Sequence, residues 1–158
     1  MDINCRSSCK LFLAAFLFFG FGEIDEVIAG YDTPVAALAA LEEAYRNNDI
    51  ETAIAVRDFV AYARQLIAEL NAADEPGYEE AVLEMAATLE LAYRKDFEEA
   101  GFVDMSLVSC RIIEKAEISE DTVLLTEECK FLDNGEIVMS SFYVHKSENG
   151  WRIGQIDG

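Results

Sequence analysis

Positive charge is what this sequence has least of. Lys and Arg together number 12 against 31 Asp and Glu in 158 residues, a formal net charge of −19, and there is one histidine. Such a balance excludes nucleic acid as an expected partner, because phosphate contacts need clustered cations. It argues equally against docking on anionic lipid. Proline occurs twice, at Pro34 and Pro76, so no Pro-rich linker divides the chain. The charge-free run Leu11 to Gly22 is 12 residues long, well short of the ~20 that a membrane-spanning helix needs. A nucleophile elbow and a phosphate-cradling glycine loop are absent from the sequence. Metal-ligand spacing is absent too, and no cofactor is expected.

What is present is apolar content: 52% of residues, too much for a disordered acidic tail. Part of it sits in the Leu11–Gly22 run, LFLAAFLFFGFG, preceded by Arg6 and Lys10. Small residues precede a potential cut after Ala29. A basic start, a short apolar run and small residues at a cut site describe a secretory signal peptide. Residues 1–29 are therefore read as a signal peptide and residues 30–158 as a single domain. The alternative is an uncleaved N-terminal anchor, which would be the chain's one tie to a membrane. Cleavage leaves 10 basic and 27 acidic residues, net −17, and removes Cys5 and Cys9. Export to the periplasm or beyond would then favour a disulfide between Cys110 and Cys129.

The mature chain reads as helices followed by strands. Asp32-Thr33-Pro34 is a helix start, with Asp or Thr as cap and Pro at the first helical position. Val35, Leu38, Leu41 and Tyr45 recur at helical spacing. Asp49 opens a second helical stretch, carrying Ile50 to Leu70, either continuous or broken near Asp58-Phe59. A long helix from Tyr78 to Ala100 ends at Gly101, with Val82, Met85, Leu89, Ala92, Tyr93 and Phe97 as its buried stripe. After Gly101 the period changes to two. Four strands follow, joined by turns at Ser119-Glu120, Asn134-Gly135 and Asn149-Gly150, which makes an antiparallel meander.

Centring the first turn on Ser119-Glu120 sets Cys110 directly opposite Cys129. Facing cysteines bridge when their Cβ atoms are ~3.5–4.5 Å apart; the alternative is two reduced, buried thiols. Centring the second turn on Asn134-Gly135 sets Phe131 against Val138 and Leu125 against Val144. One face then holds Val108, Cys110, Val123, Leu125, Cys129, Phe131, Val138, Phe142 and Val144. Glu127 falls on it too, a defect unless a bulge shifts the register.

Helices first and a curved antiparallel meander last is an α+β plan. With Asp32-Thr33-Pro34-Val35-Ala36-Ala37-Leu38, Asn47-Asn48-Asp49-Ile50 and the closing Asn149-Gly150-Trp151-Arg152-Ile153, the sequence resembles the nuclear transport factor 2-like superfamily. Arg57-Asp58-Phe59, Leu89 to Lys95 and Val123 to Cys129 look closest to its bacterial immunity-protein families. That resemblance implies a non-enzymatic binding protein that neutralises a toxin by occluding it. The leader departs from the usual cytosolic immunity protein and makes this acidic one exported, against a toxin of the periplasm or envelope. It also implies an alternative, a small-molecule-binding or isomerase/cyclase-like protein using a pocket between sheet and helices. The isomerase-like pattern places a tyrosine eight residues before Asp49; here that position is Leu41, so an oxyanion-type hydroxyl is missing there.

Four residues are candidates for such a pocket: Asp58 with Tyr62 one helical turn on, Tyr93, and His145, the one histidine. His145 alternates with Val144 and so belongs on the face away from the core. Glu114, Glu117, Glu120, Asp121, Glu128, Asp133 and Glu136 are candidates for steering a basic protein partner such as a toxin. A homodimer through the sheet is a further expectation. Adjacent acids such as Glu42-Glu43 and Glu127-Glu128 carry little information in so acidic a chain.

Overall fold

The structure is a computed structural model that describes residues 30–70 and 75–157. The signal-peptide segment and its cut after Ala29 lie outside the described residues. Thr33 opens α1 (Pro34–Arg46), its hydroxyl accepting the Ala36 N–H at 3.1 Å. Asn48 takes a left-handed φ of 55° and turns the chain. Asp49 then caps α2 (Ile50–Val56) and Asp58 caps α3 (Phe59–Glu69). Of the two readings of this stretch, the broken one holds. The break exists because the backbone peels off to β4, where the Asp58 N–H donates to the Ile153 carbonyl at 2.7 Å. The long α4 (Tyr78–Ala100) and a single 3₁₀ turn (Met105–Leu107) follow.

Strands β1 (Val108–Ser119), β2 (Thr122–Phe131), β3 (Ile137–Ser147) and β4 (Gly150–Asp157) form one antiparallel sheet in chain order. Cys110 pairs with Cys129 as expected, but not through the expected turn. Ser119 faces Thr122, so the turn is Glu120-Asp121. Two bulges in β1, between Glu117 and Ser119 and between Ile112 and Glu114, bring the register back to that pairing. At the second turn the pairing itself changes. Phe142 rather than Val144 faces Leu125, and Val138 faces Cys129 rather than Phe131, a slide of two residues. The cause is local. Gly135 takes φ 75° while Asn134 keeps a negative φ, so the two-residue turn that needs both positive does not form. Residues 132–135 make a longer loop, closed by the Phe131 N–H on the Glu136 carbonyl at 2.8 Å. A slide of two preserves side-chain parity, so the predicted apolar face survives.

Helix α1 lies on that face. Leu38 and Leu41 are buried with Ala53 and Val56 of α2 and with Val123, Leu125, Phe142, Val144 and Ile153 of the sheet. Burying a side chain of this size contributes roughly 1.5–3 kcal/mol. Val35 is left outside the stripe, and Ala37 and Ala44 complete it. A second cluster joins Phe59, Ala63 and Ile67 of α3 to Val82 and Ala86 of α4; Ala92 of α4 is exposed. Tyr93 packs against both clusters. The start of the described chain adds to β4, with Gly30 donating to the Asn149 carbonyl at 2.6 Å and Tyr31 bridging Trp151. Gly150 permits this: at φ 115° a Cβ there would stand 2.8 Å from the Gly30 carbonyl carbon.

Candidate functional site: an apolar cleft with a buried carboxyl pair

Because α1 packs over β4, β3 and part of β2, the Cys110–Cys129 end of the sheet is left uncovered beneath it. A cleft of about 180 Å³ opens there, walled by Leu38 and Leu41 of α1, Val103 and Met105, Val108 and Cys110 of β1, Phe131 of β2 and Phe142 of β3, among others. Its polar groups are few: Glu42 and Tyr45 from α1, Glu127 from β2 and Ser140 from β3. No Lys, Arg or His lines it.

Glu127 is the unexpected member. The two bulges lie in β1, between Ile112 and Glu114 and between Glu117 and Ser119, and β2 continues past both without a break. Glu127 therefore keeps the inward parity of Val123 and Leu125 and is only 4% exposed. It faces Ser140 across the ladder and hydrogen-bonds Glu42. Burial, then the hydrogen bond and charge of Glu42, push its carboxyl up to about 8. At neutral pH the pair thus holds a proton, and Glu127 can donate to an oxygen acceptor or serve as an acid. Tyr45 forms the back wall. Its hydroxyl is 2.7 Å from that of Tyr93, and burial raises both phenols above their ordinary range.

Behind the tyrosines lies Arg57, 5% exposed. Its guanidinium sits 5.0 Å from the Tyr93 ring centre and 5.3 Å from that of Phe59, and it donates to the Gly154 carbonyl at 2.7 Å. Burial pushes its pKa down. These ring contacts replace the carboxylate that a buried cation usually needs. Its role is to lock the α2–α3 break onto β4.

Cys110 and Cys129 are joined by a disulfide, with Cα atoms 4.0 Å apart. Glu127 and the two sulfurs lie within 4.8 Å of one another. With each sulfur committed to the other, a single carboxylate is left to a metal ion.

The four pocket candidates from sequence do not meet in this cleft. Asp58 caps α3, accepting the Ala61 N–H at 2.9 Å, and lines a shallower groove with Arg57, Arg152 and Glu90. Tyr62 is half-buried on α3 and lines neither recess. Tyr93 reaches the cleft through Tyr45 alone. His145 is on the outer parity of β3, with Nδ1 3.1 Å from the Thr122 hydroxyl. Burial lowers its pKa, against a weaker upward pull from Asp58. Its ring lies on Gly154, where a Cβ would stand 2.6 Å from Cδ2.

The acidic candidates are spread out. Glu117, Glu120 and Asp121 cluster at the first hairpin and Asp133 and Glu136 at the second, separated by the ten residues of β2, roughly 30 Å. Glu114 is exposed on β1. Glu128 is drawn off by Arg111, at 2.8 Å. Among the described residues no helix is long and apolar enough to cross a membrane.

No protein-family model matches the sequence, and no curated protein matches it. Solved structures do. A phospholipid-binding protein from Ralstonia solanacearum, in complex with a phospholipid, matches with a TM-score of 0.54 at 14% identity, over 80% of this chain and 78% of its own. A nuclear transport factor 2-like protein of unknown function from Shewanella oneidensis matches at 0.43 and 17% identity, covering 77% of this chain and 92% of its own. A ketosteroid isomerase-like protein from Erwinia carotovora atroseptica matches at 0.42 and 18% identity, covering 78% and 89%. At 14% identity the likeness to the Ralstonia solanacearum protein is one of fold alone, an α+β arrangement of helices on an antiparallel sheet.

Proposed function

We propose that the protein is an exported ligand-binding protein whose cleft takes an apolar molecule with an uncharged oxygen. The observation that carries this is the cleft itself: apolar walls converging on one proton-bearing carboxyl pair. Such a site is the usual form of a small-molecule pocket. Its volume of about 180 Å³ suits a single ring or a comparable stretch of acyl chain. The absence of cations from its lining disfavours an ionised head group inside. The Glu127 carboxyl donates to a carbonyl, ester or hydroxyl oxygen. The Ralstonia solanacearum protein that shares the fold holds a phospholipid, which supports an acyl chain as the buried part. The disulfide supports an oxidising compartment. Calorimetric titration with a neutral medium-chain monoacylglycerol tests the proposal: saturable one-to-one binding is expected, and no binding would end it.

A protein partner is a second reading, favoured by the outer face of the sheet. Ile137 and Met139 are 55% and 44% exposed there. A basic partner, toxin or otherwise, would dock on this face with on-rates that fall with salt. Pull-down at low salt tests it, and recovery of a second copy of this chain instead would mark the face as a homodimer surface.

A further inference from the structure

The disulfide and the buried acid lie against each other, and their placement gives them a chemistry distinct from ligand binding. We propose that Cys110, Cys129 and Glu127 form a thiol–disulfide exchange centre, with Cys110 as the attacked sulfur, Cys129 as the leaving sulfur and Glu127 as its proton donor. The substrate class is a thiol, small or protein-borne, entering through the cleft. This reading is independent of the proposed ligand.

Three observations carry it. Both cysteines line the open cleft and are partly exposed, so a thiolate can reach them. Glu127 is two residues from Cys129 on β2, hence on the same face, with Oε2 3.4 Å from the Cys129 Sγ. Finally, the surroundings are apolar. A thiolate leaving into such a site is disfavoured, since apolar burial raises thiol pKa values. A carboxyl that keeps its proton to about pH 8 removes that obstacle. The groups facing Glu127 are Glu42 and Tyr45 from α1. The cleft-lining residues of β1, β3 and the 3₁₀ turn add no charge.

The exchange balances as follows. A thiolate attacks Sγ of Cys110; the new S–S bond forms as the Cys110–Cys129 bond breaks. The electron pair leaves on Sγ of Cys129, which takes the Glu127 proton. A second thiolate then attacks the sulfur of the first thiol and releases Cys110. Two thiols are oxidised to one disulfide, the protein gains two electrons, and solvent reprotonates Glu127. In reverse, the Glu127 carboxylate accepts the Cys129 proton, and the dithiol reduces a substrate disulfide to two thiols as the Cys110–Cys129 bond re-forms.

The test is the rate at which 2-mercaptoethanol reduces the oxidised protein, read by alkylation of the freed cysteines between pH 6 and 9.5. Comparing variants at each pH cancels the reagent's own ionisation. Glu127→Gln should react at least ~10-fold more slowly at pH 7, with the gap closing above pH ~9 as wild-type Glu127 ionises. Glu128→Gln, on the outer face, should match wild type. Glu42→Gln removes the neighbouring charge and should move the wild-type inflection to lower pH. Equal rates for Glu127→Gln and wild type across the range, or an inflection unmoved by Glu42→Gln, would overturn the proposal. The Glu42→Gln variant decides the matter even if Glu127→Gln fails to fold.

Discussion

Replacing Glu127 by glutamine should stabilise the protein, by an amount that grows with pH. The carboxyl titrates near 8 in the fold, against an ordinary 4.5. The folded state therefore holds a proton that the unfolded chain has already lost across that interval. Stability conferred by this group is present at low pH and is lost as pH rises, at up to ~1.4 kcal/mol per pH unit. The whole interval corresponds to ~5 kcal/mol. Water entering through the cleft mouth and rearrangement of Glu42 reduce this to about 2–4 kcal/mol. Glutamine has nearly the same shape, does not titrate, and offers Glu42 an N–H in place of the acid proton. Urea unfolding at pH 5, 6, 7 and 8, followed by Trp151 fluorescence, gives the difference directly. The variant should be close to wild type at pH 5 and about 2–4 kcal/mol more stable at pH 8. A difference that stays flat with pH would refute the reasoning, because a fixed packing effect has no pH dependence.

Three further outcomes follow from the packing. Replacing Cys110 and Cys129 together by alanine should cost about 3 kcal/mol in denaturant unfolding, the loop-closure value for a 19-residue separation; an unchanged midpoint would show that the bond adds nothing to the hairpin. Gly154→Ala places a methyl against the His145 ring and should cost about 1–3 kcal/mol, with displaced His145 ring signals in the NMR spectrum. Arg57→Ala strands the Gly154 carbonyl and removes both ring contacts, and should cost about 2–4 kcal/mol.

The fold was legible wherever a local rule decides a local outcome. Thr33 and Pro34, Asp49 and Asp58 mark helix starts because a cap acts within three residues. Cys110 does face Cys129, but the turn is Glu120-Asp121 and two β1 bulges restore the register, which the turn residues alone do not reveal. The slide of β3 was not legible, since Asn-Gly permits two left-handed residues without requiring them, and here Gly135 alone adopts one. The cleft was half legible. The inward parity of Glu127 follows from its spacing to Val123, Leu125 and Cys129, and its misfit on an apolar face was the signal. What the sequence does not contain is that Glu42, one acid among 31, lies against it. That contact depends on where α1 crosses the sheet. Asp58 and Tyr62, by contrast, drew notice through helical spacing, which also describes an ordinary cap with a surface neighbour.

The central claim is that the cleft above Glu127 is a binding site. Ser140, directly opposite Glu127, lets this be tested with one substitution, because a phenyl group there occupies the space between the sheet and the cleft-facing sides of Leu38 and Leu41. Titration of wild type and Ser140→Phe with a medium-chain monoacylglycerol is the measurement. The account predicts saturable binding to wild type and at least a tenfold loss in the variant, with unfolding midpoints that stay close. Equal binding to both proteins would place the ligand elsewhere and contradict it.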